Sequence, residues 1–282
     1  MSRGKKNEVF TEGGGPSNPL MPSRDVLKDD FGLDIPAQTV PLPSGGVIYP
    51  VDSGMHGKSE VSIKAMTARE EDILTSRALI KKGTVITELL RSSIVDSGFD
   101  PEIMLSGDRN ALMTSLRVTG YGTQYIVEVD CPACSARTKQ NFDLAKLPIK
   151  RLDIDPVAAG ANLFEVELPM TKKMVRFKFL TGMDERDISV MQERKKKQGA
   201  AVDNLITTRL TYSIVSVAGV TDKSKIGFFI RGMPARDSLF IRKYIDKHEP
   251  GIEMKAWMDC TACFESSEVR LPMGAAFFWP ES

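Results

Sequence analysis

Two Cys-x-x-Cys pairs, Cys131-Pro132-Ala133-Cys134 and Cys260-Thr261-Ala262-Cys263, hold all four cysteines of this 282-residue chain. Cysteines at this spacing can both reach one ion when a hairpin tip turns tightly around it. Two such tips complete the tetrahedral four-thiolate set of a structural zinc site. In a reducing cytosol, paired spacing of this kind favours metal over disulfides. A local zinc ribbon separates its pairs by roughly 15–20 residues. Here Cys134 and Cys260 lie 126 positions apart. A single ion bound by both pairs would therefore close a very long loop, and the fold must deliver two distant hairpin tips to one point.

Each pair follows an extended segment. Tyr125, Val127 and Val129 alternate on one face of a strand running into Cys131, and Ile252 to Met258 runs into Cys260. The segments that leave the cysteines, Ser135 to Leu144 and Ser267 to Leu271, also read as extended. A thioredoxin-like redox motif would instead open a helix there, so one structural Zn²⁺ on Cys131, Cys134, Cys260 and Cys263 is the expected chemistry. All four positions are then filled by protein, and none is left open for catalysis.

The surrounding sequence suggests how distant tips meet. Both cysteine positions repeat at an offset of 129, as do Asp108 and Asp237. Leu42-Pro43 and Leu168-Pro169 lie 126 apart, Thr67 and Thr181 lie 114 apart, and Ser93-Ile94-Val95 and Ser213-Ile214-Val215 lie 120 apart. The same order of hairpin, helices, strand, cysteine pair and strand recurs. These features predict an internally duplicated α+β chain whose helix-rich units, with their β-hairpins, are joined by a four-cysteine zinc ribbon. The expected division is a flexible N-terminal arm over 1–36, a first unit over 37–150 and a second over 151–282. The Gly-, Pro- and Ser-rich stretch GGGPSNPLMPSR marks the arm.

Within the first unit, Pro43-Ser44-Gly45-Gly46 predicts a hairpin turn between Thr39–Leu42 and Val47–Tyr49. Thr67-Ala68-Arg69-Glu70 is a capping box opening a helix that Gly83 stops. Further helices are expected from Thr84 and from Asp108. In the second unit, paired strands flank Pro169 to Lys173. Thr181 to Asp184 then opens a helix ending near Gly199. Ala201 to Gly219 reads as one long helix, and Pro234 starts another.

Other chemistry is excluded or weak. Net charge is +1, which provides no global field for nucleic acid or membrane. The basic run Arg194 to Lys197 suits a solvated helix end. No stretch is apolar and long enough to span a bilayer, so a cytoplasmically made, non-membrane protein is expected. Gly57-Lys58-Ser59 lacks the first glycine of a phosphate loop. The two histidines, His56 and His248, sit in no catalytic pattern, and no enzyme is expected. Phe277-Phe278-Trp279 is either folded back on the core or an anchor for a partner.

The ordered set Leu42-Pro43-Ser44-Gly45-Gly46, Met66 to Asp72, Ser106-Gly107-Asp108-Arg109, Leu116-Arg117 and Tyr121-Gly122 with Tyr125, followed by two cysteine pairs and Phe277 to Pro280, resembles the T-even-type phage baseplate hub and hub-assembly chaperone family. The resemblance implies a zinc-ribbon-containing tail protein without enzymatic activity. Its implied partners are other baseplate hub and tail proteins, with no nucleic acid or membrane. It implies a setting in the host cytoplasm during assembly or in the virion tail baseplate. A zinc-ribbon nucleic-acid-binding protein is the competing expectation.

Overall fold

The computed structural model describes residues 25–28, 34–197, 204–273 and 275–278. The architecture is α+β: eight α-helices and small antiparallel sheets among the described residues. The first half runs β1 (Asp25–Lys28), β2 (Asp34–Pro41), β3 (Glu60–Lys64), α1 (Ala68–Thr75), α2 (Arg77–Lys82), α3 (Val85–Ser93), α4 (Ser106–Tyr121), β4 (Gln124–Asp130), β5 (Arg137–Asp143) and β6 (Ile149–Lys150). The second half runs β7 (Phe164–Glu167), β8 (Met174–Phe177), α5 (Gly182–Lys197), α6 (Leu205–Ser213), β9 (Ile214–Val217), α7 (Lys223–Gly232), α8 (Ala235–His248), β10 (Gly251–Ile252), β11 (Lys255–Asp259) and β12 (Ser266–Arg270). Strand pairing begins at β1 and β2, earlier than the end of the expected arm. Residues 1–24 lie outside the described set.

Three sequence expectations are corrected. The segment from Val47 to Tyr49 forms turns, and β2 pairs with β3 instead. Gly45 and Gly46 both hold positive φ. Gly57 N–H donates to Gly46 C=O at 3.0 Å, and the coiled loop buries Ile48 and Tyr49. The helix from Thr67 breaks at Ser76, whose ψ of 105° is extended, into α1 and α2. The long helix expected over 201–219 ends at Ser213, and Ile214 to Val217 pair with β8 as a strand. Their β-branched side chains suit a pleated, half-buried surface. Residues 201–203 lie outside the described set. The sequence reading also missed α7, although Asp222 caps it by accepting from Lys225 N–H at 2.9 Å.

Both halves reuse the same local solutions. Thr67 N–H donates to the Glu70 carboxylate at 2.9 Å, and Thr181 N–H to Asp184 at 2.9 Å. Lys64 pairs with Glu70 at 3.3 Å and Lys178 with Asp184 at 2.7 Å. An antiparallel bridge joins Ile63 to Ile94, and Phe177 faces Ile214 in the same way. Asp108, in the first turn of α4, accepts from Ser44 N–H at 2.9 Å. Asp237, in the first turn of α8, accepts from Met170 and Thr171 N–H at 2.8 and 3.0 Å. Each aspartate thereby pins the turn that follows a fully buried leucine, Leu42 or Leu168, and its proline.

The two halves share one hydrophobic core. Helix α4 runs through it, with Leu112 and Leu116 fully buried. Strand β6 pairs with β10 across the halves, and Ser106 N–H donates to Leu180 C=O at 2.9 Å. At Gly107 the α4 backbone meets Gly251 directly: a Cβ there would lie 1.7 Å from the Pro250 carbonyl oxygen.

Candidate metal centre

Strands β4 and β5 form one hairpin and β11 and β12 another, each carrying a cysteine pair at its tip. The two tips are built alike. Ser135 N–H donates to Cys131 C=O at 2.8 Å, and Phe264 N–H to Cys260 C=O at 2.9 Å. Cys131 N–H donates to Ala136 C=O at 2.9 Å, and Cys260 N–H to Glu265 C=O at 3.1 Å. Ser135 and Phe264 both sit at φ 60°, the left-handed region, which turns the chain back after the second cysteine.

The four sulfurs meet. Cys131 Sγ lies 3.8 Å from Cys263 Sγ, and Cys134 Sγ lies 3.7 Å from Cys260 Sγ. All four lie within 4.8 Å of one another. Exchanging the two hairpins turns the first of these pairs into the second. A disulfide needs about 2.0 Å between sulfurs, so neither pair is bonded. Four thiolates placed about 2.3 Å from a central zinc stand about 3.8 Å apart, which is the separation of the two close pairs. The donor set and its spacing are compatible with a structural metal.

Burial supports the same reading. Cys131 and Cys260 are almost fully buried, whereas Cys134 and Cys263 are exposed. N–H groups of Cys263 and Ala262 directed at the Cys260 sulfur bring that thiol down to about 7. For Cys263 the Glu265 N–H pulls downward, but the neighbouring sulfurs and burial prevail and push it up to about 12. Without a cation, one negative sulfur suppresses ionisation of the next. A divalent cation at the centre reverses that relation and favours every thiolate.

Residues outside the cysteines brace the two hairpins. Gln140 Nε2, on β5, donates to Asp259 C=O at 3.1 Å across the hairpins. Buried Arg117, on α4, donates to the carbonyls of Gly122, Gln124 and Phe277 at 2.8, 2.9 and 2.9 Å. It thereby ties the start of β4 to the C-terminal segment. Phe277 packs edge-on against Tyr125 at 5.2 Å, and both Phe277 and Phe278 are buried. Of the two readings of this aromatic segment, folding back on the core holds for these residues; Trp279 lies outside the described set. The sequence offered no signal for the carbonyl-binding role of Arg117, because its three acceptors are backbone atoms.

The remaining sequence candidates are not drawn into a site. His56 Nδ1 contacts Tyr49 C=O at 2.7 Å, and His248 Nδ1 contacts Asp153 at 2.7 Å; neither belongs to the cysteine cluster. Gly57 to Ser59 lead into β3, not a helix. No described helix is long and apolar enough to cross a membrane.

The fold and the cysteine cluster define an α+β protein in which two distant hairpin tips form one four-thiol centre. Residues 41–160 match the family model of T4 bacteriophage base plate protein, which supports a T4-type phage baseplate protein with a structural role. No curated protein and no solved structure matches the chain.

Proposed function

We propose that this chain is a non-enzymatic component or assembly chaperone of the baseplate hub of a contractile phage tail, working through contacts with other hub and tail proteins. The observation that carries this reading is the base plate family match, which spans the first half from Pro41 through the first cysteine pair. Its setting is the host cytoplasm during assembly, with the tail baseplate as destination if it stays in the particle. Mass spectrometry of purified virions tests this. Stoichiometric recovery supports a hub component. Absence from virions, with tails failing to assemble when the gene is deleted, supports a chaperone. Normal tails without the protein would overturn both.

Within this reading, the chain is an arm over 1–36 followed by two copies of one unit, 37–150 and 151–282. The recurring Thr–carboxylate caps, Lys–carboxylate pairs and Asp-pinned turns support the duplication. Cys131, Cys134, Cys260 and Cys263 hold one structural Zn²⁺, whose contribution is to cross-link the units. Elemental analysis after purification without added metal is expected to give one zinc per chain. A folded protein with less than half a zinc per chain sinks this assignment.

A further inference from the structure

A cleft of about 1070 Å³ opens where the halves meet, lined by α6, α8, the start of α4 and the base of the β11–β12 hairpin. Its occupant is legible from three features. The first is charge. Six cationic side chains line the cleft against four carboxylates, in a chain whose net charge is only +1. Among the described residues, Arg242, Lys243 and Arg270 make no ion pair with a carboxylate.

The second feature is a local conflict. Lys255 and Arg270 face each other directly across β11 and β12, and like charges in that position repel. Glu253 relieves Lys255 from one side at 3.3 Å, and Arg270 is left without a comparable partner among the described residues. A carboxylate supplied from outside would satisfy both strands. The third feature is apolar. Leu205, Ile206 and Leu239 line the cleft yet remain 38%, 48% and 44% exposed. The asymmetry between α4 and α8 points the same way. Both carry a buried aspartate in the first turn, but α4 is covered along its length while α8 buries only Asp237 and Ile241.

We propose that this cleft is a docking site for an acidic, partly apolar segment of another phage tail protein, its carboxylates meeting Arg242, Lys243 and the Lys255–Arg270 pair and its apolar side chains covering Leu239 and Ile206. The proposal rests on the baseplate assembly reading above. It gives that reading a surface and a partner chemistry. A nucleic acid would match the cations but not the apolar wall.

The test places a photo-crosslinking amino acid at Ile206 or at Leu239 in the full chain during phage assembly, with a third probe at exposed Val51 as a remote control. The expected result is cross-links from the cleft positions to Asp- and Glu-rich peptides of another tail protein. The double substitution R242E/K243E should cut them at least tenfold and leave zinc content unchanged. Cross-links from the cleft to nucleic acid, to a second copy, to this chain itself or to neutral or basic peptides overturn the proposal, as does no cross-link at all. If Val51 captures a tail protein while the cleft positions capture none, the cleft proposal fails and the assembly reading survives. If no position captures a tail protein and tails form normally without this chain, both fail.

Discussion

Phe264 carries two costs at once: it is 86% exposed, and its φ of 60° is one that bulky side chains avoid. Left-handed backbone costs an L-residue roughly 1–2 kcal/mol, partly recovered in a glycine's greater unfolded-state entropy. Phe264→Gly should therefore stabilise the protein by about 0.5–1 kcal/mol, measured by denaturant unfolding. Unchanged or lower stability would mean that the ring is needed where it lies. Arg117 works in the opposite sense. Arg117→Met strips three backbone carbonyls of their donor in a buried place and should cost about 3 kcal/mol or more. Proteolysis should then release the C-terminal segment before global unfolding. Glu249, at the cleft, gives a pH signature. Burial raises it from 4.5 to about 7; Arg209 pulls it down and Glu185 pushes it up. The fold thus prefers the protonated acid. This contribution is fully present below pH 4.5 and is lost as pH rises through 7. Glu249→Gln should leave stability nearly unchanged at pH 4 and raise it at pH 8, by on the order of 1–3 kcal/mol. Thermal melts of the two proteins at both pH values check the sign.

At the scale of elements, contact between the halves depends on backbone meeting backbone. Gly107, in the first turn of α4, lies against Pro250 and Gly251 with no room for a methyl group. Gly107→Ala must push α4 away from the β6–β10 pairing, and a loss of at least about 2–3 kcal/mol is expected from overpacking a site that cannot yield. Hydrogen exchange at Lys150 and Ile252 should rise selectively, whereas a rise spread evenly over the chain would point to a general effect. Elements with strong local chemistry were legible in the sequence. The Thr67–Glu70 box, the helix opened by Thr181 and Asp184, the helix begun at Pro234, and both cysteine hairpins follow from local signals. The helix expected to be capped by Asp108 instead starts at Ser106, with Asp108 in its first turn turned to Ser44. Two of the misreadings share one cause: a neighbour outside the segment decided its state. Strand β8 drew Ile214 to Val217 out of the preceding helix, and Asp108 held Ser44 so that the following residues coiled inward and left β3 as the partner of β2. Offsets that kept Asp108 and Asp237 in step with the cysteines carried tertiary information, because both aspartates pin equivalent turns. Nothing in the sequence announced the cleft, since its cations come from segments as distant as Lys150 and Arg270.

For the molecule as a whole, the decisive question is whether the two cysteine pairs act as one centre or as two. Cys131 meets Cys263 and Cys134 meets Cys260, so neither hairpin owns a site. If one ion bridges them, removing either pair removes the whole cross-link. Cys131→Ser/Cys134→Ser, Cys260→Ser/Cys263→Ser and the fourfold variant should then lose the same stability and release the same single zinc. The fourfold loss should fall well short of the sum of the other two, because residues sharing one centre are not additive. Structural zinc in small domains contributes roughly 10 kcal/mol or more of binding free energy. Here the shared core and the β6–β10 pairing hold the halves together without it. Metal removal should therefore lower the melting temperature and loosen the hairpin tips without unfolding the chain. Chelation followed by hydrogen exchange distinguishes the cases. Exchange confined to 124–143 and 255–270 fits one staple between two packed halves. Additive losses, with two zinc ions released per chain, would mean independent sites, and the distant sulfurs would then have converged for some other reason.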